Sequence, residues 1–433
     1  MRKLASFISL IPGGTCSLVL TVLSFTSSAH AQQPTSHVGS IFAYPNGQPW
    51  SNFGAYVGPP TSTDFFKMTP ESLKVIHTRF HVLKESDDTK WSWFPYSALR
   101  VFEGQEMAAG RPPIFVTANY QGKTRQIVWN WSLGLQGSKP TRPPSEWEYA
   151  VNVGDDRFIN FWINNYIRSV ILPGYQNLQN SSIGLDECAF IPALYGVIDD
   201  NGNFVSGVQW DQPFPQNADA YYQSIERFFT QVHQKAPDLK LIPNSGGIGD
   251  WSQFANVFGA SQGLMIEELN PSASVPSGGM YTRNQLQSQL AAYSAEAAQG
   301  YPMILASIMD SSDQSRIATS FLLYMLIEGA NTYYAPAITG SPETLPPAAY
   351  QNVGAGLGNP TGSLQSQQLP GSASSNPGLR TYWREFQNGI VYLNWTGSTQ
   401  TIPLPAGHTY YTGGKAVTSI TLPDLAATWL TYQ

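Results

Sequence analysis

Charge is what this sequence has least of: Asp, Glu, Lys and Arg make up 12% of its 433 residues, against about 25% in an average soluble chain. The acids outnumber the bases, 29 to 23, and that sign disfavours nucleic acid or an anionic membrane surface as a partner. Cysteine is scarce too. Cys16 and Cys188 are the only two, and Cys16 falls in a removable leader, so no internal disulfide is expected and stability must come from the core. Beyond that leader, no segment approaches the roughly 20 apolar residues of a membrane helix. The sequence also lacks a Gly-x-Ser-x-Gly elbow, a His-Glu-x-x-His helix, a Walker loop and a paired Cys-x-x-Cys motif. Gly246-Gly247-Ile248-Gly249 has neither the spacing nor the lysine of a phosphate loop and reads as a turn.

The leader is residues 1–31. Met1-Arg2-Lys3 is a basic start, residues 18–25 are apolar, and Ala29-His30-Ala31 is a small-x-small cleavage site. A secreted or periplasmic location is expected. Removing Arg2 and Lys3 leaves 21 bases against 29 acids, a net charge of −8. About 400 residues exceed a single ordinary core, so one large domain with a smaller appendage is expected. Aromatic residues, at 13%, with 38 Gly and 32 Pro, suit neutral, hydroxyl-rich ligands and equally suit long polar loops.

Short apolar runs alternate with helix-period segments from about residue 39 to residue 336, the pattern of repeated β-α units. Eight runs qualify as strands: 39–45, 73–79, 113–119, 182–187, 239–244, 263–268, 302–309 and 330–335. Eight is the number of a (β/α)₈ TIM barrel. Helical spacing is clearest over 218–236, 283–300 and 312–329. Two long stretches, 121–156 and 191–216, read as elaborations at the barrel mouth. Residues 337–378 are rich in Pro, Gly, Ser and Gln and read as a connector. The chain from 379 to 433 has β-type runs broken by Asn-Gly, Pro-Ala-Gly and Gly-Gly turns, which predicts a small antiparallel β domain after a barrel spanning 32–336.

Functional groups of a parallel barrel gather where strands end. The fourth predicted strand ends in Asp186-Glu187 and the sixth in Glu267-Glu268. Side chains alternate along a strand, so turning Ile183 and Leu185 toward the helices points Asp186 inward. In the sixth strand, Leu264 and Ile266 outward leave Glu267 inward. Asp186 and Glu267 therefore form the primary catalytic pair, with Glu187, Glu268 and Asp310 in reserve. Two neighbouring carboxyl groups of unequal pKa supply the acid and the nucleophile or base of glycoside hydrolysis, with no metal or cofactor. Position assigns Asp186 as nucleophile or base and Glu267 as acid; the reverse order satisfies the same chemistry. The bland reading of Asp186 is an ion pair with Arg79, and that of Asp310 is a helix cap.

Arg79, Asn119, Tyr120 and Asn244 follow strands and can hold sugar hydroxyls. His77 reads more simply as a core histidine. Trp91, Trp93, Tyr96, Trp129 and Trp131 crowd the loops between the second and fourth strands, where flat rings can stack on sugar rings or simply fill core.

Leu185-Asp186-Glu187, Gly263-Leu264-Met265-Ile266-Glu267 and Tyr382-Trp383-Arg384-Glu385-Phe386-Gln387-Asn388-Gly389 together resemble the bacterial glycoside-hydrolase-like barrel families. In those, a (β/α)₈ domain precedes a small β-sandwich whose early strand ends in Asn-Pro-Thr. Here that end reads Asn394-Trp395-Thr396, with Trp395 in the proline position, and Gly358-Asn359-Pro360-Thr361-Gly362 is similar to the segment before the sandwich. Acids on the fourth and sixth strands also resemble α-galactosidase-type barrels. The resemblance implies hydrolysis of a polysaccharide or oligosaccharide, with acids at Asp186 and Glu267. The competing expectation is an exported carbohydrate-binding protein that retains the barrel and has no catalysis; a barrel lyase or metal-dependent deacetylase ranks below it, because histidine is sparse.

Overall fold

The computed structural model describes residues 39–41, 55–60, 62–89, 92–186, 188, 194–211, 218–244, 263–266, 290, 293–310, 314–339, 356–368 and 380–432. Eight parallel strands run through it in chain order. They are β1 (Gly39–Ile41), β2 (Ala55–Gly58), β3 (Leu73–Thr78), β4 (Ser181–Leu185), β5 (Leu241–Pro243), β6 (Leu264–Ile266), β7 (Met303–Asp310) and β8 (Thr332–Thr339). The first five form one sheet and the last three another, and a parallel bridge from Asn244 to Met265 connects them. β1 lies beside β8, with no hydrogen-bonded ladder between them among the described residues.

The alternation of side chains sorts these strands into two apolar groups. Ala55, Val57, Leu73, Val75, Ile242, Met265, Ile304, Ala306, Tyr333 and Ala335 pack together on one side. Ile76, Ile183, Leu185, Leu264, Ile266 and Leu305 face the other way and join the cluster that the helices complete. The parity expected for the fourth and sixth strands is therefore observed. Gly184 belongs to the inner face: a Cβ there would meet Val75 Cγ1 at 2.7 Å, so glycine lets the neighbouring valine fill that space.

Helices supply the outer cover. In α3 (Ala218–Lys235), Tyr221, Ile225, Phe228, Phe229 and Val232 are buried at three- and four-residue spacing, so one stripe faces the strands. Before β4, α2 (Asp156–Phe161) starts at Asp155, whose carboxylate accepts the Arg157 N–H, and the coil continues through Trp162–Ile171 and Leu172–Tyr175. An earlier helix, α1 (Tyr96–Ala108), buries Tyr96 and Leu99. α4 (Gln314–Ile327) differs from all of these. Every residue from Phe321 to Ile327 is buried, because the helix lies between β7 and β8 on one side and a C-terminal sheet on the other. At roughly 1.5–3 kcal/mol per large apolar side chain, covering both faces is a major part of its stability.

The strand count of eight survives through two compensating errors. The segment 113–119 is not one of the parallel strands. Thr117–Tyr120 instead pairs antiparallel with Lys123–Gln126, through a two-residue turn whose Gln121 and Gly122 have φ of 53° and 74°, as the right-handed twist of a hairpin favours. The missed member is β2, a four-residue Ala-Tyr-Val-Gly run. Val82–Leu83, Val128–Trp129, Tyr149–Ala150, Tyr195–Ile198 and Phe204–Ser206 form one antiparallel sheet. The two stretches read as separate elaborations, 121–156 and 191–216, thus fold together, through the Tyr195–Trp129 and Gly196–Val128 pairs.

The C-terminal region is antiparallel, as expected, with Arg380–Phe386, Gly389–Trp395 and Ala427–Tyr432 at its centre. A two-stranded ladder of Gln400–Pro403 and Ser419–Leu422 packs Ile402, Ile420 and Leu422 against Ile390, Tyr392, Tyr410 and Leu430 of the larger sheet. Asn394 is fully buried. Its amide donates to the carbonyls of Ser398, Leu422 and Pro423, and its Oδ1 accepts from the N–H and hydroxyl of Thr396. Arg384 donates to the carbonyls of Leu326 and Glu328 at the end of α4 and to that of Gly362, supplying partners that helix-end carbonyls otherwise lack.

Candidate active site

The inner face of β3 runs Leu73, Val75, His77 and, one residue past the strand, Arg79. On β4 the same face runs Ser182, Gly184 and then Asp186, and on β5 it runs Ile242 and then Asn244. Alternation over three adjacent strands therefore delivers one histidine, one arginine, one carboxylate and one amide to the same strand ends. The backbone holds them in step: the Asp186 N–H donates to the Thr78 carbonyl, and the Asn244 N–H donates to the Leu185 carbonyl.

Asp186 Oδ2 lies 3.0 Å from Arg79 Nη1, and Oδ1 lies 3.3 Å from His77 Nε2. The Asn244 amide donates to Oδ1 at 3.4 Å. The side chain is 12% exposed. Burial opposes ionisation of this carboxyl and is the largest single influence on it. The charges of His77 and Arg79, a hydrogen bond from His77 and the charge of His81 outweigh it together and hold the pKa well below the ordinary aspartate range. Asp186 is thus an ionised, oriented carboxylate, suited to attack or to proton abstraction and unsuited to proton donation.

Arg79 reaches further. Its Nη2 lies 2.9 Å from Glu148 Oε1, and Lys84 Nζ lies 3.3 Å from the same oxygen. Glu148 comes from the inserted antiparallel sheet, where its N–H donates to the Ser132 hydroxyl. Below Arg79, the Trp162 indole N–H donates to the Arg79 carbonyl. Asp87 accepts from the Lys84 N–H; burial raises its pKa first of all, against the lowering charges of Arg79 and Lys84. His81 Nδ1 lies 2.5 Å from the Tyr221 hydroxyl.

Of the residues singled out from the sequence, Asp186, Arg79, His77 and Asn244 come together. The ion pair weighed as the bland reading of Asp186 is present, and His77 contacts the carboxylate instead of serving only as core. Glu187, Glu267, Glu268 and Trp91 lie outside the described residues, as does the Asp310 side chain. Asn119, exposed, and Tyr120, half-buried, sit on the Thr117–Tyr120 hairpin instead of at a parallel-strand end, and neither bonds to Asp186. Trp129 and Trp131 stack, with ring centres 6.1 Å apart and planes within 6°; Trp131 is 56% exposed. Trp93 is partly exposed and Tyr96 is buried in the core. Sequence reasoning missed Glu148 and Lys84, because their place depends on how the insertion folds back and no spacing signals it.

A cavity of about 360 Å³ lies at the opposite ends of the strands, lined in part by Leu73, Ser182, Ile242, Asn331 and Tyr333. It is remote from Asp186 along the strand direction. Among the described residues, no cluster of His, Cys, Asp and Glu has the form of a metal site, and no helix is long and apolar enough to cross a membrane.

No protein-family model matches the chain, and no curated protein matches it at a significant level. Among solved structures, it is similar to the glycoside hydrolase domain of PelA from Pseudomonas aeruginosa, with 11% identity, coverage of 70% of this chain and 94% of that one, and a TM-score of 0.36. Amy13B of Eubacterium rectale matches with 9% identity over 91% and 94% of the two chains, TM-score 0.42. A trehalulose synthase variant bound to Tris matches with 10% identity over 92% and 99%, TM-score 0.47.

Proposed function

We propose that this chain is a secreted or periplasmic glycoside hydrolase acting on a polysaccharide or oligosaccharide, with residues 32–336 as a closed (β/α)₈ catalytic barrel and 379–433 as an appended β-sandwich. The observation that carries the reading is the ionised Asp186 at the inner ends of adjacent parallel strands, oriented by His77, Arg79 and Asn244. Its depressed pKa fits the nucleophile or base and leaves the acid to a second carboxyl group, for which Glu267 is the candidate. The exposed face of Trp131 fits a sugar-stacking platform. The test is hydrolysis of a glycan panel by the wild type, Asp186→Asn and Glu267→Gln. Undiminished turnover in both variants overturns the assignment.

A second reading, a carbohydrate-binding protein without catalysis, draws on the ion pair itself, since Arg79 neutralises the carboxylate that would do the chemistry. Glycan binding by the wild type without any turnover supports that reading.

A further inference from the structure

Three carboxylates and two permanent cations meet at the ends of β3 and β4: Asp186, Glu148 and Asp87 with Arg79 and Lys84, flanked by His77 and His81. A guanidinium next to a carboxylate usually pairs with both of its oxygens in a fork. Here it does not. Arg79 places Nη1 at 3.0 Å from Asp186 Oδ2 and Nη2 at 2.9 Å from Glu148 Oε1, so its two arms are divided between two carboxylates. Asp186 Oδ1 lies within reach of His77 Nε2 and the Asn244 amide.

Glu148 is built to hold that division. It is 4% exposed, its backbone is tied to the Ser132 hydroxyl and to Trp129 N–H, and Lys84 Nζ lies 3.3 Å from the same carboxylate oxygen that Arg79 meets. The geometry points to Glu148 as a positioning residue for Asp186, acting through Arg79: it holds one arm of the guanidinium and so fixes where the other meets the candidate nucleophile. This inference rests on the hydrolase reading for its purpose, but not for its test. The inserted sheet thereby contributes a residue to the site.

Two substitutions separate position from charge. Glu148→Asp keeps the charge and shortens the arm by one methylene, whereas Glu148→Gln keeps the length and removes the charge. Each is read by titrating the Asp186 carboxyl carbon by NMR in the full-length protein, alongside the pH dependence of hydrolysis. If Glu148 positions Arg79, both variants free that arm to close on Asp186, and both lower the Asp186 titration by about half a unit or more. A Glu148→Asp titration identical to the wild type, which leaves Glu148 only its charge, or a titration above the wild type in either variant, overturns the proposal. The carboxyl titration reports whether or not the protein turns over a glycan, so a failed hydrolase reading shows separately as a wild type without activity.

Discussion

Asn394, fully buried, and Asp186, largely so, are satisfied in opposite ways. Asn394 closes its hydrogen bonds on three backbone carbonyls and one threonine, all within residues 394–398 and 422–423. Asp186 is held by side chains from β3 and β5, two of them titratable or charged. A polar group sealed by backbone specifies a turn and has nothing left for chemistry. One held by side chains from separate strands, two of them ionisable, retains a charge whose strength its neighbours set.

The largest effect that can break this contrast is catalytic. Asp186→Asn lowers turnover of any glycan the wild type cleaves by roughly 10²–10⁴-fold, the usual contribution of a positioned acid or base, while Asn394→Ala leaves turnover of the folded protein unchanged. A urea denaturation series reads the next effect. Losing the Asn394 amide strands several buried carbonyls, and Asn394→Ala costs about 3 kcal/mol of stability; a midpoint shift near zero would dissolve the distinction.

The third effect concerns acid. Because the folded pKa of Asp186 is depressed, its ion pairs contribute stability that is fully present above the unfolded aspartate value of about 3.9. That stability is lost as pH falls toward the depressed folded value. Melting temperatures measured from about pH 6 down to about pH 3 should therefore fall less steeply in Asp186→Asn than in the wild type, and parallel curves would remove Asp186 from the acid response. The smallest effect is at the surface. Trp131→Ala weakens oligosaccharide binding about threefold to tenfold, as the loss of one stacked ring does, with no change in melting temperature; calorimetric titration distinguishes this from an inert tryptophan.

Much of the candidate site was legible because alternation along a strand is a rigid rule. Ile183 and Leu185 facing the helices required Asp186 to face inward, and the structure brings Arg79 and Asn244 to it. The order of strands was less legible. Ile114-Phe115-Val116 is buried like a parallel core strand, but Phe115 bridges Val151 antiparallel, and hydrophobic pattern alone does not encode the direction of the partner. β2 is too short, and its Ala-Tyr-Val-Gly composition too ordinary, to stand out. Glu148 carried no signal at all, since its role exists only after residues 121–156 turn back over the strand ends. The C-terminal strands were read most closely, because Asn-Gly and Gly-Gly turns mark their limits.

The all-round apolar surface of α4 has a consequence for the order in which the molecule is made. The residues that cover its outer side, up to the Ala427–Tyr432 strand, emerge about 100 residues after Ile327, a delay on the order of 5–20 s at ordinary synthesis rates. During that interval the helix has only half of its shelter, and the Leu326 and Glu328 carbonyls lack the hydrogen bonds that Arg384 donates. A chain halted before residue 380 therefore leaves that apolar face of the helix open, and residues 380–432 serve first as its cover.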